Sequence, residues 1–208
     1  MNDGKIRILI ADDHSIVRMG LATLLEMEND LELVGQSANG KEAVAETLRL
    51  KPDVVVMDLM MPVLDGVEAT AAIMAKMPDV KIVLFTTFPT SDLIAKAIDN
   101  GAKGVVFKSA ADTELVTAIR AVALGKSYIS PDVAKLLASD PPIEPLTPRQ
   151  SEILASIARG LSNSDIAKEL GITPTVVREY TISLFQKLGA ANRSEAVAIA
   201  LKKQLVKI

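Results

Sequence analysis

The sequence predicts an α/β domain on a five-stranded, doubly wound parallel sheet, followed by a small all-α domain of four helices. Three observations carry that prediction. In the front half, short β-branched runs alternate with amphipathic stretches, the signature of successive βα units. The segment Ala138-Ser139-Asp140-Pro141-Pro142-Ile143-Glu144-Pro145 holds three prolines in eight residues, which denies backbone donors to helix and sheet alike and favours an extended connector. Behind it, residues 146–208 show no strand-like alternation, and each amphipathic stretch opens on a capping residue.

Taken in order, strands are expected over 6–11, 32–37, 53–58, 80–85 and 104–107, and helices over 15–28, 40–50, 65–76, 91–100 and 112–124. Val54 to Met57 and Ile82 to Phe85 are nearly continuous apolar runs, so these strands should be buried on both faces, as a parallel sheet requires. In the back half, Thr147-Pro148-Arg149-Gln150 combines a Thr cap, Pro at the first helical position and Gln at the third, a capping box. Ser162, Thr173 and Asn192 each precede a further helix start, while Gly160, Gly171 and Gly189 stand where the preceding helices should stop. A tight turn at Gly171 between the second and third helices makes a helix-turn-helix. The expected division is 1–128 for the sheet domain, 129–145 for a helix and Pro-rich linker, and 146–208 for the helical domain.

Composition narrows the classes. A chain of 208 residues with 49% hydrophobic content accommodates two cores, and the absence of Cys excludes disulfides and thiolate metal sites. No apolar run approaches the roughly 20 residues of a membrane span. The start, Met1-Asn2-Asp3-Gly4-Lys5, lacks a signal-peptide core. A soluble, cytoplasmic protein with no membrane partner is expected. The net charge of −3 hides an asymmetry: residues 146–208 hold 9 basic and 5 acidic residues, against 14 and 21 in residues 1–145. Only the back half is suited to a polyanion.

The chemistry sits at the ends of strands. Asp12 and Asp13 follow Ile6-Arg7-Ile8-Leu9-Ile10-Ala11, Asp58 follows Val54-Val55-Val56-Met57, and Lys108 follows Gly104-Val105-Val106-Phe107. In an open parallel sheet those carboxyl ends line one crevice. Two carboxylates about 4 Å apart repel by roughly 4 kcal/mol at an effective dielectric near 20, so the cluster calls for a cation. A hard cation such as Mg²⁺, which takes one or two carboxylates plus a phosphate, fits the donor set. The site therefore points to phosphoryl chemistry.

The front half resembles the receiver domain of two-component response regulators, a flavodoxin-like fold, through Asp12-Asp13, Asp58 followed by Met61-Pro62 and Gly66, Thr86 and Lys108. The back half is similar to the LuxR/FixJ/NarL type of helix-turn-helix. The residues that carry this are Leu146-Thr147-Pro148-Arg149, Gly160-Leu161-Ser162-Asn163, Ile166-Ala167, Leu170-Gly171-Ile172, Val177-Arg178, Lys187-Leu188-Gly189 and Arg193-Ser194-Glu195-Ala196. The resemblance implies a DNA-binding response regulator rather than an enzyme. A sensor histidine kinase would phosphorylate Asp58, so that the chain dimerises and binds double-stranded DNA to regulate transcription. It further implies that Asp13, Asp58 and the Met60 carbonyl hold Mg²⁺ with support from Asp12, that Thr86 bonds a phosphoryl oxygen, and that Lys108 pairs with another. His14 is expected to be a helix-start residue.

Two positions depart from the pattern. Val105 stands where receivers often carry an aromatic residue, with Phe107 on the same strand face as a substitute. Ser109 replaces the proline that commonly follows the lysine. In the back half, a helix from Pro174 to Leu188 should turn Val177, Thr181, Leu184 and Leu188 to the core and Arg178, Glu179, Ile182, Ser183, Gln186 and Lys187 outward. Arg178 would pair with guanine, Glu179 accept from cytosine, and Ile182 touch a thymine methyl. Lys168, Lys187 and Arg193 would meet phosphates. Two readings compete. An aspartyl-nucleophile phosphatase wants Asp-x-Asp, whereas Asp12 and Asp13 are adjacent. A phosphate-independent regulator would use the acidic pocket only for packing.

Overall fold

In the computed structural model the described residues are 4–87, 89–110 and 112–206. Residues 1–3, which bear on the expected lack of a leader, lie outside them. The chain divides into two compact units, Met1–Asp140 and Pro141–Ile208.

The first unit alternates β1 (Ile6–Ala11), α1 (Ser15–Glu26), β2 (Leu31–Ser37), α2 (Gly40–Leu50), β3 (Val54–Met57), α3 (Gly66–Met74), β4 (Lys81–Thr86), α4 (Ser91–Asp99), β5 (Gly104–Phe107) and α5 (Asp112–Ala123). With a short β6 (Tyr128–Ile129) after α5, the strand order is β2-β1-β3-β4-β5-β6, and every pairing is parallel. Alternation along each strand splits the core in two. Leu9, Val55, Met57, Ile82, Leu84 and Val105 face Ala69 and Ile73 of α3 and Ile94 of α4. Ile8, Ile10, Val54, Val56, Val83 and Val106 face Leu21 and Leu25 of α1 and Leu115, Ile119 and Val122 of α5. Helices on both faces explain why β3 is buried at every position.

The sheet has six strands rather than five. After α5, Gly125 takes a left-handed φ of 78° and turns the chain back, so that Tyr128 N donates to Lys103 O at 2.8 Å and Ser130 N to Val105 O at 3.0 Å. The two-residue strand β6 (Tyr128–Ile129) thereby covers the β5 edge, which would otherwise present unpaired donors and acceptors. Ser130 then caps α6 (Pro131–Ser139), whose Val133 is fully buried on the α4 side of the sheet. Ser130-Pro131 is the same signature as Thr147-Pro148 and Thr173-Pro174. The strand, with only two residues, was too short for periodicity to detect.

The second unit consists of α7 (Pro148–Ala158), α8 (Asn163–Leu170), α9 (Pro174–Leu188) and α10 (Arg193–Lys202). Its four expected caps all form: Thr147 makes a complete capping box with Gln150, and the side chains of Ser162, Thr173 and Asn192 accept from Asp165 N, Val176 N and Glu195 N. Each is worth about 0.5–2 kcal/mol. Gly171 and Gly189 end α8 and α9 at φ 65°. Ile153, Leu154, Ile157, Ile166, Val177, Leu184 and Leu188 form the core.

The tightest backbone approach in the first unit is at Gly66, where an added Cβ would lie 2.1 Å from the Asp58 carbonyl oxygen and 2.8 Å from Leu59 Cα. Neither atom belongs to a flexible side chain. Gly66→Ala should therefore cost roughly 3 kcal/mol or more, read as a lower urea midpoint, whereas Gly20→Ala, which meets nothing within 4 Å, should leave it unchanged or raised.

Candidate functional site

The strand order places the site. From β1 the chain passes to β2 on one side and later to β3 on the other, so a crevice opens beyond the carboxyl ends of β1 and β3. Ala11 pairs with Met57, and Asp58 N donates to Ala11 O at 2.8 Å, which sets Asp12 and Asp58 side by side. Lys108 arrives from β5, its N–H bonded to Thr86 O at 2.8 Å.

Lys108 Nζ lies 2.6 Å from Asp12 Oδ2 and 2.6 Å from Asp58 Oδ2. Asp12 and Asp58 are almost wholly buried, at 1% and 4% exposure. Burial pulls the Lys108 ammonium down, but hydrogen bonds to both carboxylates outweigh it and hold its pKa above the ordinary lysine value of 10.5. One ammonium does not neutralise the site: Asp12, Asp13, His14 and Asp58 all offer donor atoms within 4.8 Å of one another. Three carboxylates beside one ammonium suit a divalent cation held by oxygen.

The backbone around these groups is fixed by local bonds. His14 N donates to Asp12 Oδ1 at 2.9 Å, and Arg18 Nη1 donates to the Asp12 carbonyl at 2.6 Å. Met60 N donates to Asp58 Oδ1 at 3.3 Å, which brings the Met60 peptide beside the pocket. Leu64 N donates to Pro62 O at 2.8 Å across Val63, whose φ of 70° is left-handed and costs a β-branched residue of order 1–3 kcal/mol. Thr86 is 1% exposed, and its Oγ1 has no hydrogen-bond partner. A buried hydroxyl left unsatisfied costs about 1–3 kcal/mol, and among the described residues only Ser37 Oγ shares that condition.

The structure thus brings together Asp12, Asp13, Asp58, Met60 and Lys108, with Thr86 on the neighbouring strand end. Arg18 was missed from the sequence because a lone Arg in the first turns of a helix reads as surface charge. Val105 is fully buried, and Phe107 packs partly buried against the same core. In register Phe107 pairs directly with Thr86.

In the second unit, α9 exposes Arg178, Glu179, Ile182 and Gln186 on one side. Ser183 and Lys187 lie elsewhere: Ser183 Oγ accepts from Gln150 Nε2 at 3.2 Å, and Lys187 Nζ donates to the Pro145 carbonyl at 3.2 Å with Glu144 Oε2 at 3.7 Å. Arg193 donates to the carbonyl of Ile157, in the last turn of α7, and to that of Leu161, just past its end. Lys168 remains exposed, 3.9 Å from Asp165.

Residues 8–120 match the response regulator receiver domain, and residues 144–200 match the luxR family of bacterial regulatory proteins. The chain is 35% identical over 206 residues to response regulator protein VraR of Staphylococcus aureus, covering 97% of this chain and 99% of that protein. Response regulator ChrA of a heme-sensing two-component system is 33% identical with a TM-score of 0.59, covering 98% of this chain and 100% of that one. RcsB of Salmonella enterica serovar Typhimurium, bound to promoter P1flhDC in the presence of phosphomimetic BeF3⁻, is 28% identical with a TM-score of 0.71, covering 94% and 97%.

The buried Lys108 bridge makes a stability prediction. Lys108→Met leaves two buried carboxylates without their cation and should cost about 3–5 kcal/mol near neutral pH. Because the folded-state pKa of Lys108 lies above its unfolded value, its contribution is complete below 10.5 and lost as pH rises through the folded value. Urea midpoints of wild type and Lys108→Met should therefore converge on the alkaline side.

Proposed function

The chain belongs to the LuxR family of two-component response regulators, and from that premise we propose that Asp58 is its phosphoacceptor and that its phosphorylation state governs dimerisation and DNA binding. It is a DNA-binding regulator of transcription, not an enzyme. The observation that carries the proposal is the buried Asp58 carboxylate, held by Lys108 together with Asp12, with an unpartnered hydroxyl on Thr86, the residue whose carbonyl accepts the Lys108 N–H.

In this reading an Asp58 oxygen attacks the phosphorus of a phosphohistidine on a sensor histidine kinase, or of a small acyl phosphate. The new P–O bond forms as the bond to the imidazole or acyl oxygen breaks, and the leaving group departs with the electron pair. Lys108 keeps Asp12 and pairs with a phosphoryl oxygen, while Thr86 donates its hydroxyl to another and so gains a partner. Asp13, Asp58 and the Met60 carbonyl, with Asp12 in support, are the residues that would hold Mg²⁺, which neutralises phosphoryl charge when bound. Phosphorylation adds about −1.5 to −2 charge, enough to bias a two-state loop. With valine at 105, the aromatic residue paired with Thr86 is Phe107, and we assign to that pair the passing of the phosphorylation signal from the pocket to the surface of the domain.

At the DNA end, the exposed face of α9 enters the major groove of double-stranded DNA. Arg178 reads guanine, Glu179 accepts from cytosine and Ile182 contacts a thymine methyl. Lys168 meets phosphate; Lys187 and Arg193 do so only on leaving their carbonyl partners. A homodimer places two α9 helices on half-sites roughly 34–36 Å apart. We place the protein in the cytoplasm, where kinase and DNA meet; among the described residues no helix is long and apolar enough to cross a membrane.

Full-length protein with Mg²⁺ and acetyl phosphate should gain one phosphoryl mass and become dimeric by light scattering, and Asp58→Asn should do neither. Unmodified wild type, or DNA binding by Asp58→Asn identical to that of treated wild type, would overturn the proposal. On a target operator, Arg178→Ala should cost about 1–3 kcal/mol and relax preference at one base. Lys168→Ala should instead weaken all sequences alike and lower the salt slope by about one.

A further inference from the structure

We infer that Glu144 is a built-in competitor for DNA phosphate: from the connector, its carboxylate pairs with Lys187 in the last turn of α9 and withholds that cation from the duplex. The inference rests on the phosphate contact proposed above for Lys187, and adds a residue outside the helix-turn-helix that sets its affinity.

The connector is laid onto the helices of the second unit. Ile143 and Leu146 pack, partly buried, against the core formed by those helices. Lys203 Nζ donates to the Pro141 carbonyl at 3.2 Å, and Lys187 Nζ donates to the Pro145 carbonyl at the same distance. Glu144 stands between the two apolar anchors and directly before Pro145, and a residue that precedes proline is restricted to extended backbone. Its carboxylate is therefore presented from a short segment with little freedom, with Oε2 3.7 Å from Lys187 Nζ. Among the described residues it is the one carboxylate paired with Lys187.

A phosphate oxygen that approaches Lys187 meets an ammonium already given to a carbonyl and a carboxylate, with a negative charge beside it. Contact through Lys187 must displace Glu144, so it contributes less than an unpaired lysine would. An exposed ion pair shifts an equilibrium by about two- to fivefold. A lysine released onto phosphate also adds about 0.9 to the dependence of log affinity on log salt. Such a contact carries no sequence information, so the competition acts on every duplex alike.

The test is fluorescence anisotropy of full-length protein, treated with Mg²⁺ and acetyl phosphate, on a labelled random-sequence duplex over a series of salt concentrations. Wild type, Glu144→Gln, Lys187→Met and the double variant are compared. The Glu144 side chain is 81% exposed, so Glu144→Gln should keep the wild-type urea midpoint. Glu144→Gln should bind about two- to fivefold tighter at low salt, with a salt slope steeper by up to about one. Lys187→Met should erase that gain, so that it costs more in the Glu144→Gln background than in wild type. Unchanged binding by Glu144→Gln, or the same gain with Lys187→Met present, would overturn the competition and leave the phosphate contact of Lys187 standing. No effect of Lys187→Met in either background would overturn that contact and the competition together, while the reading of Arg178 stands.

Discussion

The bridge from Lys108 to Asp12 and Asp58 is the constraint around which the first unit is organised. Two nearly buried carboxylates at the ends of neighbouring strands repel unless a cation lies between them, and the ammonium that does so comes from β5, two places from β3 and three from β1. Its reach requires β1, β3, β4 and β5 to run parallel in that order, with carboxyl ends level. The register delivers this: Ala11 pairs with Met57, Met57 with Leu84, and Thr86 with Phe107. Slipping β1, β3 or β5 by one residue would turn its apolar set to the wrong core and move one of the three charges out of the crevice.

The same pocket keeps an imbalance that function draws on. Lys108 offsets only part of the acidic charge, and Thr86 keeps a buried hydroxyl without a partner. Both are costs of the resting state, and in the proposed function a divalent cation and a phosphoryl group would relieve them. Strain at Val63 and the close approach of Gly66 to the Asp58 carbonyl hold the loop after β3 against the site. In the second unit, by contrast, basic side chains serve the architecture: Arg193 donates to carbonyls at the end of α7 and just beyond it, and Lys187 to the Pro145 carbonyl in the connector. That leaves Arg178 and Lys168 as the most exposed cations of α8 and α9, so the DNA contact proposed for this face would rest on few basic groups.

Much of the fold was legible because its signals are local. Hydrophobic period separated five strands from the helices between them, and four Ser, Thr or Asn caps marked the helices of the second unit to the residue. The site residues Asp12, Asp13, Asp58 and Lys108 were legible for a related reason: polar groups that end apolar runs in a parallel sheet must share one edge. The sixth strand was not legible, since two residues carry no period and Tyr128 and Ile129 become a strand only because β5 offers an open edge. Ser183 and Lys187 were assigned to the exposed face of α9 by helical spacing, but spacing cannot say that Gln150 and Pro145 lie beside them.

The sequence by itself determined the fold class, the helix starts and stops, and the identities of the charged groups at the strand ends, because each depends on residues within a few positions of one another. Only the tertiary structure decided how those groups meet. That Lys108 bridges two carboxylates and that Thr86 lies unsatisfied beside Phe107 are consequences of strand order and packing. Such contacts join residues up to 96 positions apart in the chain, as from Asp12 to Lys108, and no local pattern encodes a distance of that kind.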